Sequence, residues 1–96
     1  MKHCIIVKYV PGIDEGRKIE LVSEIKELFD HTLEIEGIHE ANVYPNCIAR
    51  DNRYDLMIEI GMDKDALAEY DGCLYHRIWK DKYGELIEKK TIFDYE

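Results

Sequence analysis

The chain has 96 residues and a mass of 11.4 kDa, room for one domain spanning 1–96 and no second. Thirteen Lys and Arg stand against 21 Asp and Glu, so the formal net charge is 13 − 21 = −8, with a pI of about 4.9. That balance argues against nucleic-acid binding and against adhesion to an anionic membrane, both of which rest on clustered cations, while 46 % hydrophobic and 35 % charged residues suit a folded domain.

His3 to Val10 (HCIIVKYV) is β-branched and aromatic and predicts a strand. One face carries His3, Ile5, Val7 and Tyr9, the other Cys4, Ile6, Lys8 and Val10, so both faces call for cover. The apolar run Cys4–Val7 is broken by Lys8 and is too short for a signal-peptide core or a membrane span, so no targeting or membrane segment is expected. Pro11-Gly12 ends the strand.

Asp14 is placed to cap a helix running to about His31, in which Leu21, Val22, Ile25, Leu28 and Phe29 keep helical spacing. Gly37 marks a turn. Residues 39–49 predict a second strand, bulged or edge-like at Pro45. Arg50 to Arg53 predicts a hairpin-type connection, and Tyr54 to Met62 a third strand with Leu56, Ile58, Ile60 and Met62 on one face. Asp63 is expected to cap a helix holding Ala66, Leu67 and Tyr70, which Gly72 interrupts. A further helix places Leu74, Ile78, Trp79, Tyr83, Leu86 and Ile87 on its apolar side, and Thr91 to Tyr95 closes the chain as a strand.

The order βαββαβ predicts an α+β, ferredoxin-like protomer: a four-stranded antiparallel sheet with its helices on one face. The second sheet face is apolar in strands 1 and 3, and a chain this small cannot cover it alone. A homodimer packed sheet to sheet is the expected solution, with the second copy as partner.

Four segments carry a family resemblance: K-H-C-I-I-V-K-Y at the start, R-Y-D-L-M-I-E-I in the centre, A-L-A-E-Y-x5-H, and T-I-F-D-Y-E at the end. In their order and spacing they resemble the Dabb family, the stress-responsive dimeric α/β-barrel proteins, over essentially the whole chain. The resemblance implies a homodimer that binds a small apolar or carbonyl-containing molecule. In one branch, the olivetolic acid cyclases, it implies a cofactor-independent aldol ring closure. The catalytic Tyr and His of that branch, six residues apart, match Tyr70 and His76, and its pocket His near the start of strand 1 matches His3. Cys73, Leu74, Leu56 and Glu24 depart from the cyclase pattern and separate this chain from the cyclase substrate.

On the catalytic reading, His76 is a general base near neutral pH and Tyr70 donates to a developing enolate oxygen. Six residues of unbroken helix would set the two about 120° apart, so the reading needs the break at Gly72. They should then lie within about 7 Å of each other, lining an apolar cavity with strand residues such as Ile5, Val7 and Ile58 as walls. On the structural reading, His76 bonds a helix end, Tyr70 is core with its hydroxyl at the rim, and His3 sits at a strand end. A cofactor-free monooxygenase is a third reading.

No cofactor or metal is expected. His3, His31, His39 and His76 are scattered without H-x-x-x-H or H-x-E, and neither a phosphate-cradling glycine loop nor G-x-S-x-G is present. Trp79 and Tyr83 at i, i+4 are core in the simplest reading. Cys4, Cys47 and Cys73 are odd in number and widely spaced, which predicts three reduced thiols in the cytoplasm, with Cys73 a small buried thiol.

Overall fold

The computed structural model describes Met1–Glu96 and has the expected βαββαβ order. Strand β1 (Lys2–Tyr9) is followed by helix α1 (Glu15–Asp30), β2 (Ile38–Pro45), β3 (Leu56–Met62), the short α2 (Leu67–Asp71), α3 (Leu74–Tyr83) and β4 (Ile87–Tyr95). The strands form one antiparallel sheet in the order β2-β3-β1-β4, so β1 and β3 are central.

Helix α1 begins where the sequence places it. The Asp14 carboxylate accepts from the Arg17 backbone N–H at 2.8 Å and satisfies one of the free donors of the first turn. Leu21, Ile25 and Phe29 recur every four residues on its buried face. Each such side chain contributes about 1.5–3 kcal/mol when removed from water, as an upper bound. Gly37 turns the chain into β2 with φ +90°, and a Cβ there would lie 3.1 Å from the Ala66 Cβ, so the turn is both left-handed and crowded.

Several boundaries differ from the sequence expectation. Strand β2 stops at Pro45, because Asn46 turns the chain away: its Oδ1 accepts from the Ile48 N–H at 2.9 Å and its Nδ2 donates to the Tyr54 carbonyl at 2.8 Å. The bulge falls between Ile38 and Glu40, at the other end of this edge strand from Pro45. Asp63 makes no side-chain cap; its carboxylate lies 3.0 Å from His39 Nε2, and the turn that follows is 3₁₀ before α2 begins. Helix α3 ends at Tyr83, so Leu86 lies in a 3₁₀ turn and Ile87 opens β4, four residues before the expected start at Thr91. The added segment is charged at Glu88, Lys89 and Lys90 because β4 is an edge strand.

His3, Ile5, Val7 and Tyr9 face the helices, together with Leu56, Ile58, Ile60 and Met62 of β3. They close a single core against Leu21, Ile25, Phe29, Tyr70, Trp79 and Tyr83. The opposite sheet face carries Cys4, Ile6, Tyr44, Met57, Glu59, Phe93 and Tyr95. No helix lies over it, and Phe93 remains 61 % exposed.

Candidate functional site

Tyr70 lies in the last turn of α2, Gly72 caps that helix, and Cys73 caps the next one. The Cys73 sulfur accepts from the His76 backbone N–H at 3.4 Å, which places His76 in the first turn of α3. The corner between the two helices therefore cancels the 120° separation of an unbroken helix. The Tyr70 and His76 rings stand 5.0 Å apart, centroid to centroid, at 51°.

The His76 ring has a defined tautomer. Its Nδ1 lies 2.9 Å from the Asp71 carbonyl oxygen, which can only accept, so Nδ1 carries the proton. In the neutral imidazole the lone pair is then on Nε2, the atom free to act as base. His76 is half-buried, so this base retains contact with the surface.

Tyr70 has no exposed surface, and its hydroxyl has no hydrogen-bond partner. Burial pushes its pKa well above the ordinary tyrosine value, with the neighbouring Cys73 and Asp71 adding to the shift. It is a neutral donor at physiological pH. His3 meets it from the sheet side in an edge contact at 5.4 Å, 64° between planes. The His3 Nδ1 in turn lies 2.5 Å from the Asp94 carboxylate, delivered by the register His3↔Asp94 across β1 and β4. The structure thus brings all three sequence candidates, Tyr70, His76 and His3, into one row that Asp94 extends.

Asp94 has no signal in the sequence, because only strand pairing brings it beside a residue 91 positions away. Nor was the capping role of Cys73 legible: the thiol is half-buried rather than buried, and its partner is the His76 backbone, not the ring. Glu24 accepts from Tyr83 Oη at 3.1 Å and pairs with Arg17 at 2.5 Å. The Arg17 bond holds its carboxyl below the usual range. Trp79 is core, edge-on to Phe29 at 5.4 Å. No three His, Cys, Asp or Glu side chains are gathered as a metal would require.

Two clefts open elsewhere on the surface. A cleft of about 750 Å³ lies between the end of β1, the first turns of α1 and the β2–β3 connection. A groove of about 300 Å³ runs between α1 and α3 past Leu28, His31, Tyr75 and Tyr83. Neither is lined by His3, Tyr70 or His76. Ile5, Val7 and Ile58, expected as walls of a cavity beside the pair, lie in the packed core.

Fold and site together define a ferredoxin-like protein with its titratable cluster at the α2–α3 corner, on the helix side of the sheet. No family model matches the chain, and no curated protein matches it. Solved structures do. A dimeric protein of unknown function with a ferredoxin-like fold from Bacteroides fragilis superposes with a TM-score of 0.80 at 18 % identity, covering 99 % of this chain and 93 % of its own. A dimeric ferredoxin-like protein of unknown function from Thermobifida fusca gives 0.77 at 13 %, covering 96 % and 85 %. A Dabb family protein with a ferredoxin-like fold from Mesorhizobium loti gives 0.66 at 13 %, covering 99 % and 93 %. These likenesses show the fold, and the last agrees with the family resemblance carried by the sequence.

Proposed function

We propose that the chain is a Dabb-type homodimer that binds a small apolar or carbonyl-containing molecule at the Tyr70–His76 corner. The observation that carries the reading is the Tyr70 hydroxyl, fully buried and unpartnered, on a ring flanked by two imidazoles. A buried donor without an acceptor costs about 1–3 kcal/mol, and a ligand oxygen placed there would recover it. Access requires the corner to open. Helix α2 has five residues, a length with little stability of its own, and the half-buried His76 lies at its edge. Self-association rests on the uncovered sheet face and on the dimeric state named for the similar structures from Bacteroides fragilis and Thermobifida fusca.

The His76 tautomer favours a second, catalytic reading of the same site. With Nε2 as base and the Tyr70 hydroxyl as donor, the pair would remove a proton beside a carbonyl and hold the enolate oxygen. That is cofactor-independent lyase or cyclase chemistry. The test is heat protection by small aromatic ketones and 1,3-diketones. Binding predicts a rise in Tm for the wild type that Tyr70→Phe abolishes. Catalysis adds proton exchange at the α-carbon, slowed by roughly 10²–10⁴-fold in His76→Ala with the dimer intact. A panel that leaves the Tm of the wild type unchanged speaks against both.

A further inference from the structure

On the uncovered sheet face, Ile6, Met57, Tyr44 and Phe93 form an apolar patch, and Glu59 stands beside it on the central strand β3. Its register partners are Cys4 on β1 and Asn42 on β2. Tyr95 reaches from β4 across β1 and donates its hydroxyl to Glu59 Oε2 at 2.8 Å. The Cys4 thiol lies 3.9 Å from the same oxygen. The other carboxylate of this face, Glu40, pairs with Lys2 over Gly61. Glu59 meets a phenol and a thiol instead of a cation. Lys8 and its β4 neighbour Lys89 lie about 13 Å along the sheet, four residues at about 3.3 Å each, and Lys8 is engaged with the carbonyls of Asp51 and Arg53.

A second sheet packed on this face would take Glu59 out of water. Burial disfavours the charged form of a carboxyl that has no cation beside it, and a proton taken up from solvent removes the charge. The neutral carboxyl still accepts from Tyr95 and is placed to donate to Asn42, opposite it on β2. Its titratable neighbours stay protonated through the neutral range. Burial first and Glu59 second push the Cys4 thiol up, and the bond to Glu59 pushes the Tyr95 hydroxyl up. The strand histidines are elsewhere: His3 lies under the helices, and His39 is held by Asp63 at 3.0 Å beyond the end of β3.

We infer that Glu59 is a proton-operated lock on self-association: two copies close their sheet faces over its protonated form, and its charged form holds them apart. The inference rests on the proposed pairing of two copies through this face. Two copies bring two such carboxyls, so association takes up as many as two protons. The dimer therefore tightens as pH falls, by up to about a hundredfold in Kd per pH unit where both titrate.

The test is sedimentation equilibrium of the whole chain at pH 8.0, 7.0 and 6.0. It is run in 0.5 M NaCl, where the mutual repulsion of two chains of net charge −8 is screened within a few ångströms. The Kd of the wild type should fall at least tenfold from pH 8.0 to 6.0. Glu59→Gln, which stays neutral and still accepts from Tyr95, should give a Kd independent of pH and at least tenfold lower than wild type at pH 8.0. Where the dimer is too tight for sedimentation, mixing isotope-labelled and unlabelled chains reads the same effect: exchange faster at pH 8.0 than at 6.0 in the wild type only. A dimer whose Kd or exchange does not change with pH overturns the inference and leaves the pairing standing. A pH dependence that persists in Glu59→Gln overturns it too. So does a Glu59→Gln dimer weaker than wild type, which would place a cation of the second copy against the carboxylate. A wild type that stays monomeric at all three pH values overturns the pairing and the inference together.

Discussion

His76 Nδ1 stands 2.9 Å from the carbonyl oxygen of Asp71, the last residue of α2, so the helix that carries Tyr70 also sets the proton on its neighbour's ring. The backbone carbonyl acts where many imidazoles depend on a carboxylate. A substitution that displaces Asp71 would free Nδ1 and make the two tautomers comparable, without touching either ring.

Tyr70→Phe removes a hydroxyl that has no partner. The ligand-free protein should gain about 1 kcal/mol, because the cost of burying an unpaired donor disappears. Urea denaturation of the two proteins measures this directly. A loss of stability would mean that the hydroxyl is bonded in solution.

Asp94→Ala leaves the His3 imidazole buried without its partner. The expected cost is about 1–2 kcal/mol, moderated because Asp94 itself is partly exposed. Asp94→Asn, which still accepts at Nδ1–H, should recover most of it. Thermal unfolding of the three proteins side by side checks the order wild type, Asn, Ala.

Alkaline pH should destabilise the fold in a defined window. Tyr9 and Tyr70 ionise later in the folded protein than the ordinary value of 10, Tyr9 at about 12. The unfolded chain therefore releases protons first, and above pH 10 each released proton favours unfolding. The Tyr9 contribution is intact below pH 10 and lost between pH 10 and 12. Guanidinium midpoints at half-unit steps from pH 9 to 12 should fall through that interval, and Tyr9→Phe should flatten the fall.

The open sheet face should hold two copies together. Phe93 and Tyr95 of β4 and Tyr44 of β2 remain exposed there, flanking Ile6 and Met57. Sedimentation at micromolar concentration should give twice the 11.4 kDa chain mass for the wild type. Phe93→Asp, which sets a charge where the second copy would seat, should shift the equilibrium to monomer. A wild type that sediments as a native monomer removes the argument from the uncovered face.

The periodicities of the chain determined the element order, the Asp14 cap, the break at Gly72 and the two-faced character of β1, because each depends on residues within a turn or two of one another. The pairing of Tyr70 with His76 was implied by the family resemblance, and the glycine between them, at Gly72, supplied the break that it needs. The early start of β4 was not legible, since Glu88-Lys89-Lys90 has no strand pattern and becomes a strand only through bonds to β1. The tertiary structure alone decided that the His3, Ile5, Val7 and Tyr9 face is the one under the helices, that Asp94 stands at His3, and that a cleft of about 750 Å³ opens beside Tyr9. Those facts depend on contacts between residues far apart in the chain, 91 positions for His3 and Asp94 and 46 for Tyr9 and Asp55, and local preference carries no information about which of two apolar faces a helix will cover.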